Sequence, residues 1–430
     1  MKKGFSYTKA HTLVAQKDSA LKQYIPALAN TVKEDAGKYD SHEHALFLPL
    51  DQEILKNAKS MAKRYAGPKL KYVIVIGIGG SNLGTKALYD ALYRGTSRTP
   101  KLLFLDTLSH NVLSAIEETL KREVKNSSEV LINLISKSGT TTESIANFEL
   151  LYQILEKRFS DIGSRVVCTT DTDSALWAEG KRRDFGLLSI PTLVGGRYSV
   201  FSAVGIFPLL LAGVDVDAFR EGGADMLHLV VSSEQDKNHA KAAAEELFAA
   251  MHAEYTIVNI FHFNPELESL GKWERQLIAE SLGKEINLSG EIVHTGITPI
   301  VSIGSTDLHS MAQLYFGGPK DKFTMLVRAG EEADVRIPTN GTLSSLVGGI
   351  PGKTGAEIME AIFEGVKSAY EKKKLPFAVV RLPAISPYTL GFYMEWRMAT
   401  VMYLAKLMNI NAFDQPNVED YKSVTRALLK

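Results

Sequence analysis

Four apolar runs in the first 170 residues constrain this chain more than any other feature. Residues 71–78 (KYVIVIGI), 102–106, 130–135 and 166–170 are apolar at nearly every position. A strand with one wet face alternates apolar with polar residues, so continuous runs are covered on both faces. Helical patterns follow the first three runs, from about Leu83, Asn111 and Thr142. Strand, helix, strand in this order builds a parallel sheet with helices on both sides. The rhythm resumes after residue 210. Strands are expected over 256–263, 297–303, 323–327 and 377–382, and helices over about 217–253, 267–282, from Asp307, and 388–408. Residues 1–60 read as amphipathic helix with a break near Gly37. The expected division is a helical segment (1–60), a first α/β domain (61–210), a second (211–400) and a polar tail (401–430).

Composition removes several functional classes. Lys plus Arg and Asp plus Glu are 49 each, which argues against a nucleic-acid surface. The single cysteine, Cys168, cannot pair within the chain, so a reducing cytoplasm is the expected home. The start, MKKGFSYTKAHTLV, lacks the apolar core of a secretion signal. No stretch approaches the ~20 apolar residues of a membrane span.

The turn after the third run, ISKSGTTTESI, crowds hydroxyls and an ammonium around one glycine. A helix N-terminus directs unpaired N–H groups and partial positive charge outward. With Ser136, Lys137, Ser138, Thr140 and Thr141 added, the turn is suited to an anion such as phosphate. A capping box of Thr140 with Glu143 is the simpler reading, but it leaves Ser136, Lys137 and Ser138 unused.

The turn after the first run, VIGIGGSNLGTK, imitates two nucleotide motifs. Gly77 and Gly79 fit the dinucleotide fingerprint, but Asn82 stands at its third glycine. Gly79 and Gly84 fit the phosphate loop of nucleotide hydrolases, but Thr85 and Lys86 come in the wrong order. GIPGKTG at 349–355 lacks the first glycine and a preceding strand. What remains is a glycine turn exposing N–H groups beside Ser81, on the same sheet edge as 136–141. Ligands of open parallel sheets bind at that edge.

Four groups could move or stabilise protons. Glu280 ends a helix with an apolar stripe of Leu267, Leu270, Trp273 and Leu277. His309 lies in the first turn of a helix after the strand ending at Ile303. Arg197 follows two glycines in VGGRYSVFSAVG, where a guanidinium can stabilise a developing anion. Lys422 lies in the tail. Read singly, the Glu, His and Lys are as well explained by ordinary surface or core positions.

As an ordered set, GIGGS, SKSGTTTE, GGRYSVFSAVG, AESLGK, His309 with Gln313, and FDQPNVEDYK resemble the phosphoglucose isomerase family. The resemblance covers about 70–425. It implies two doubly wound sugar-isomerase (SIS) domains with the active site between them. It also implies reversible conversion of glucose 6-phosphate to fructose 6-phosphate, in glycolysis and gluconeogenesis. By the same resemblance Gly80, Ser81, Ser136, Lys137, Ser138, Thr141 and Gln415 bind the sugar phosphate. Glu280 is the base, His309 and Lys422 open the ring, and Arg197 faces the enediolate. No metal or cofactor is implied. A homodimer is, with His309 acting in the partner's site as in the related animal enzymes. Asn417 departs from the small residue, often Gly, usual in the last motif. Two alternatives stay open: a non-catalytic sugar-phosphate sensor, and a related isomerase of mannose or glucosamine phosphates. Against the sensor, residues 1–60 offer no basic recognition helix.

Overall fold

The computed structural model describes residues 4–10, 13, 20–34, 38–93, 96, 99–232, 237–330 and 335–429. Gly37, the expected helix break, lies outside them. The segment read as helical opens with a strand, β1 (Ser6–Lys9), before helices α1 (Ala20–Glu34) and α2 (Gln52–Tyr65). A 3-10 stretch, His42–Leu50, joins the two helices and buries Ala45, Leu46, Phe47 and Leu48 in the main core. Buried Arg220 satisfies the end of that stretch, donating to the carbonyls of Pro49 (2.8 Å) and Asp51 (2.6 Å).

The first sheet contains β2 (Tyr72–Ile76), β3 (Lys101–Leu105), β4 (Val130–Ile135), β5 (Val166–Thr170) and β6 (Gly186–Ser189). Helices α3 (Leu83–Tyr93), α4 (His110–Glu123), α5 (Thr142–Glu156) and α6 (Ala175–Arg182) connect them. All pairings are parallel, in the order β3-β2-β4-β5-β6. Every residue of β2, β4 and β5 is buried, as continuous apolar runs require. Successive strands are laid down on opposite sides of β2. The connections therefore diverge between β2 and β4, opening a crevice at their carboxyl ends. The turns 77–82 and 136–141 both lie there.

Three helices bridge to the second sheet: α7 (Ala203–Leu211), α8 (Val216–Val230) and α9 (His239–His252). The expected single helix over 217–253 is thus two, the second capped by Asn238, whose side chain accepts from the Lys241 N–H. Next come β7 (Ile257–His262), α10 (Glu268–Leu282), an antiparallel hairpin β8 (Lys284–Ile286) and β9 (Ile292–Thr295), then β10 (Thr298–Ile303), α11 (Ala312–Gly317), β11 (Lys322–Ala329), α12 (Gly355–Lys373), β12 (Phe377–Leu382) and α13 (Pro387–Leu407). The order is β1-β12-β11-β7-β10, parallel except for β1. The opening segment is therefore partly built into the second sheet. The polar tail is also ordered: it ends in a helix, α14 (Glu419–Leu428). Among the described residues, no helix is long and apolar enough to cross a membrane.

Helix α10 packs on α3, the helix that follows the first glycine turn. Its stripe of Leu270, Trp273 and Leu277 is buried in the main core. This contact brings the end of α10 to the crevice of the first sheet.

Candidate active site

The 136–141 turn is shaped by its own hydroxyls. Ser136, buried at the end of β4, shares a 2.9 Å hydrogen bond with the Thr141 hydroxyl. Thr170 on the next strand donates to the Ser136 carbonyl at 2.6 Å. The Thr140–Glu143 capping box does not form. Thr141 is the N-cap of α5, and its side chain makes no cap bond because it faces Ser136 instead. Gly139 has φ +70°, and a Cβ there would stand 2.8 Å from the Leu176 nitrogen, so both backbone shape and space require glycine. Among the described residues, the Lys137 ammonium makes no hydrogen bond or ion pair. Burial lowers its pKa from the usual lysine value, and nearby Asp171 partly offsets this. A half-buried, unpaired cation at an uncapped helix N-terminus is an arrangement that an anion completes.

The first glycine turn is pressed between two other pieces of the site. Gly79 has φ +56°, and a Cβ on it would lie 2.9 Å from Gln276 Nε2 of α10. A Cβ on Gly80 would overlap the Gly196 carbonyl carbon at 2.1 Å. The bare backbone of Gly79 and Gly80 therefore lies against the Gln276 side chain of α10 and the backbone of 196–197, and the half-buried Ser81 lies in this turn.

Arg197 organises the centre. Its side chain is 2% exposed, and every nitrogen is directed. Nε donates to Ser281 Oγ (2.8 Å), Nη1 to Gln415 Oε1 (2.9 Å) and Nη2 to the Ala412 carbonyl (2.7 Å). The Ser281 hydroxyl also meets Tyr198 at 2.9 Å. Nη1 stands 3.4 Å from Glu280 Oε2, and Gln276 donates to the same oxygen at 3.0 Å. The Glu280 side chain remains 28% exposed, so it is held by a cation and an amide but not sealed off. Lys284 donates to the Glu280 carbonyl (2.8 Å) and to the Asp414 carbonyl (2.7 Å). Burial, then nearby Arg197, lowers the pKa of Lys284 from the usual lysine value.

The chain thus brings Glu280, Arg197 and Gln415 into contact, with Gly80 and Ser81 alongside. Ser136, Lys137, Ser138 and Thr141 share the carboxyl edge of the same sheet. His309 and Lys422 do not join the cluster. His309 is exposed and follows a 3-10 turn, Thr306–Leu308, rather than opening a longer helix; α11 starts only at Ala312. Lys422 pairs with Glu419 (2.7 Å) on the surface of α14. Asn417, the departure in the last motif, donates to Glu285 at 2.6 Å and ties this segment to β8.

Sequence reasoning overlooked Gln276, Ser281 and Lys284. Gln276 and Lys284 lie four residues before and after Glu280. For Gln276, on α10, that spacing places it beside Glu280 and was the available signal; Lys284 lies past the helix end, at the start of β8, and reaches back to the Glu280 carbonyl.

The arrangement can anchor an anion at one end, present a carboxylate for proton transfer and hold a fixed guanidinium beside the charge that develops. Residues 51–430 match the phosphoglucose isomerase family. Among curated relatives, glucose-6-phosphate isomerase of Carboxydothermus hydrogenoformans is 29% identical, over 90% of this chain and 84% of its own. That of Rubrobacter xylanophilus is 32% identical, over 88% and 87%. A hypothetical protein from Thermus thermophilus, known as a crystal structure, superposes with a TM-score of 0.86 at 28% identity, covering 99% of each chain. Matched over most of its length and carrying the sugar-isomerase fold, this chain belongs to the phosphoglucose isomerase family.

Proposed function

We propose that this protein interconverts glucose 6-phosphate and fructose 6-phosphate through an enediolate, with Glu280 as the proton carrier. The observation that carries the reading is the Glu280 carboxylate 3.4 Å from a buried, fully directed Arg197. The phosphate sits on Ser136, Lys137, Ser138 and Thr141. Gly80, Ser81 and Gln415 line the sugar. After ring opening, Glu280 takes the proton from C2 and returns it to C1. Arg197 stabilises the negative charge that forms on the enediolate between the two steps, and needs little reorganisation because its partners already hold it. The loop binds the end of the substrate that does not react, so its binding energy serves orientation. Family membership and the names of the relatives favour this reaction over the sensor and over other sugar-phosphate isomerases.

Ring opening falls to His309 and Lys422, and the active form is a homodimer. The exposure of His309, away from Glu280, and a hairpin with outward apolar side chains, Ile286, Leu288, Ile292 and Val293, support a second copy. Two SIS domains, residues 61–210 and 211–400, flank the crevice, and the buried lone thiol of Cys168 suits a reducing cytoplasm. The test is turnover of fructose 6-phosphate by wild type and Glu280→Gln, coupled to detection of glucose 6-phosphate. Wild type turns over, and Glu280→Gln loses about 10²–10⁴-fold in kcat. Equal rates would remove Glu280 from the mechanism.

A further inference from the structure

Glu280 belongs to the last turn of α10, where carbonyls lack the N–H donor that the next turn would supply. Its carbonyl accepts instead from the Lys284 ammonium at 2.8 Å. The same ammonium donates to the Asp414 carbonyl at 2.7 Å and stands 3.4 Å from Asp414 Oδ1. The next residue, Gln415, accepts from Arg197 Nη1 at 2.9 Å, and that same nitrogen faces Glu280 Oε2. The contacts therefore close a ring: Glu280 carboxylate, Arg197, Gln415, Asp414, Lys284 and the backbone of Glu280. A second cation, Arg197, also reaches the Asp414 carbonyl, at 3.3 Å. Lys284 is only 4% exposed, so its charge is not placed for solubility.

We infer that Lys284 is a positioning residue for the isomerisation. It fixes the backbone of Glu280 at an otherwise loose helix end, and it locks the strap 412–415 so that Gln415 and Arg197 keep their place beside the carboxylate. Removing the charge frees both. The phosphate loop, 136–141, contributes no member to the ring, so the phosphate anchor is spared; loosening Gln415 weakens one sugar contact, and the proton transfer takes the larger loss.

The inference rests on Glu280 acting as the base, and the experiment separates the two claims. Lys284→Met keeps most of the side-chain length and removes the ammonium and its charge. Its kinetics with fructose 6-phosphate are compared with wild type. Competent sites are counted by calorimetric titration with an aldonic acid phosphate, an analogue of the enediolate. The expected result is a fall of about tenfold or more in kcat per binding site, with KM within about threefold of wild type. A residue needed only for folding would lower the number of binding sites and the Tm, and leave kcat per site unchanged. That outcome, or a rise in KM alone, overturns the inference. A wild-type protein without turnover removes the role of Glu280 itself. Should Lys284→Met not fold, Lys284→Gln, which keeps a donor without the charge, is read on the same criterion.

Discussion

Arg197 and Glu280 come from opposite halves of the chain, and their side chains stand 3.4 Å apart with three of the guanidinium's other contacts already made. Fixed orientation is what separates arginine from lysine here. Arg197→Lys keeps a charge but cannot reach Ser281, Gln415 and Ala412 together. It is expected to lower kcat by about 10²–10³-fold, the range for losing an oriented donor at a developing anion. Steady-state kinetics with fructose 6-phosphate check this, and a KM change without loss of kcat would contradict it.

The phosphate loop makes a separate prediction. Inorganic phosphate is expected to raise the Tm of wild type, by about 2.7 kcal/mol of stabilisation at a hundredfold excess over Kd. Lys137→Ala removes the only ammonium of the loop. Its Tm should no longer respond to the same phosphate range, and its KM for fructose 6-phosphate should rise about tenfold, the 1.4 kcal/mol scale of one weakened charged contact. Thermal melts with a phosphate titration decide it.

How far the sequence could be read depended on burial and on range. β2, β4 and β5 were legible because central strands are buried throughout. β1, with SYTK, and β6, with GLLS, were not. Both are short edge strands whose identity comes from a neighbour rather than from a pattern. The two capping-box signals fared oppositely. Thr354 with Glu357 forms a complete box at the start of α12, in a stretch weighed only as a nucleotide motif. Thr140 with Glu143 forms none: the N-cap is the next residue, Thr141, whose hydroxyl bonds Ser136, while Thr140 bonds Ser138. In the site, Glu280 and Arg197 were visible as residue types in context. The meeting of Arg197 with 412–415 was not, since nothing local encodes a contact across more than two hundred residues.

A buried carboxyl outside the site predicts a pH dependence of stability. Glu246 on α9 accepts a hydrogen bond from the Tyr7 hydroxyl of β1, with Lys9 nearby. Burial pushes its pKa up to about 7 despite both neighbours. The unfolded chain releases this proton at an ordinary carboxyl pKa, so between that value and about 7 the folded state holds more protons. The associated stability is full below the unfolded pKa and is lost as pH rises through about 7, by an amount on the order of 3 kcal/mol. Glu246→Gln cannot titrate. Its Tm should fall less than that of wild type between pH 5 and pH 8, taken as roughly the span of this titration.

Subunit mixing tests whether His309 acts in the partner's site. If each site combines Glu280 of one chain with His309 of the other, Glu280→Gln and His309→Ala are each inactive as homodimers. A mixed dimer then has one site carrying both changes and one carrying neither. Random reassortment of equal amounts makes half of the dimers mixed, so about one site in four becomes intact. Activity should therefore appear on unfolding and refolding the two variants together, and stay absent when they are refolded apart. If His309 served the site of its own chain, every site in every combination would carry one defect. No activity would appear on mixing, and the exposed position of His309 beside α11 would need another explanation.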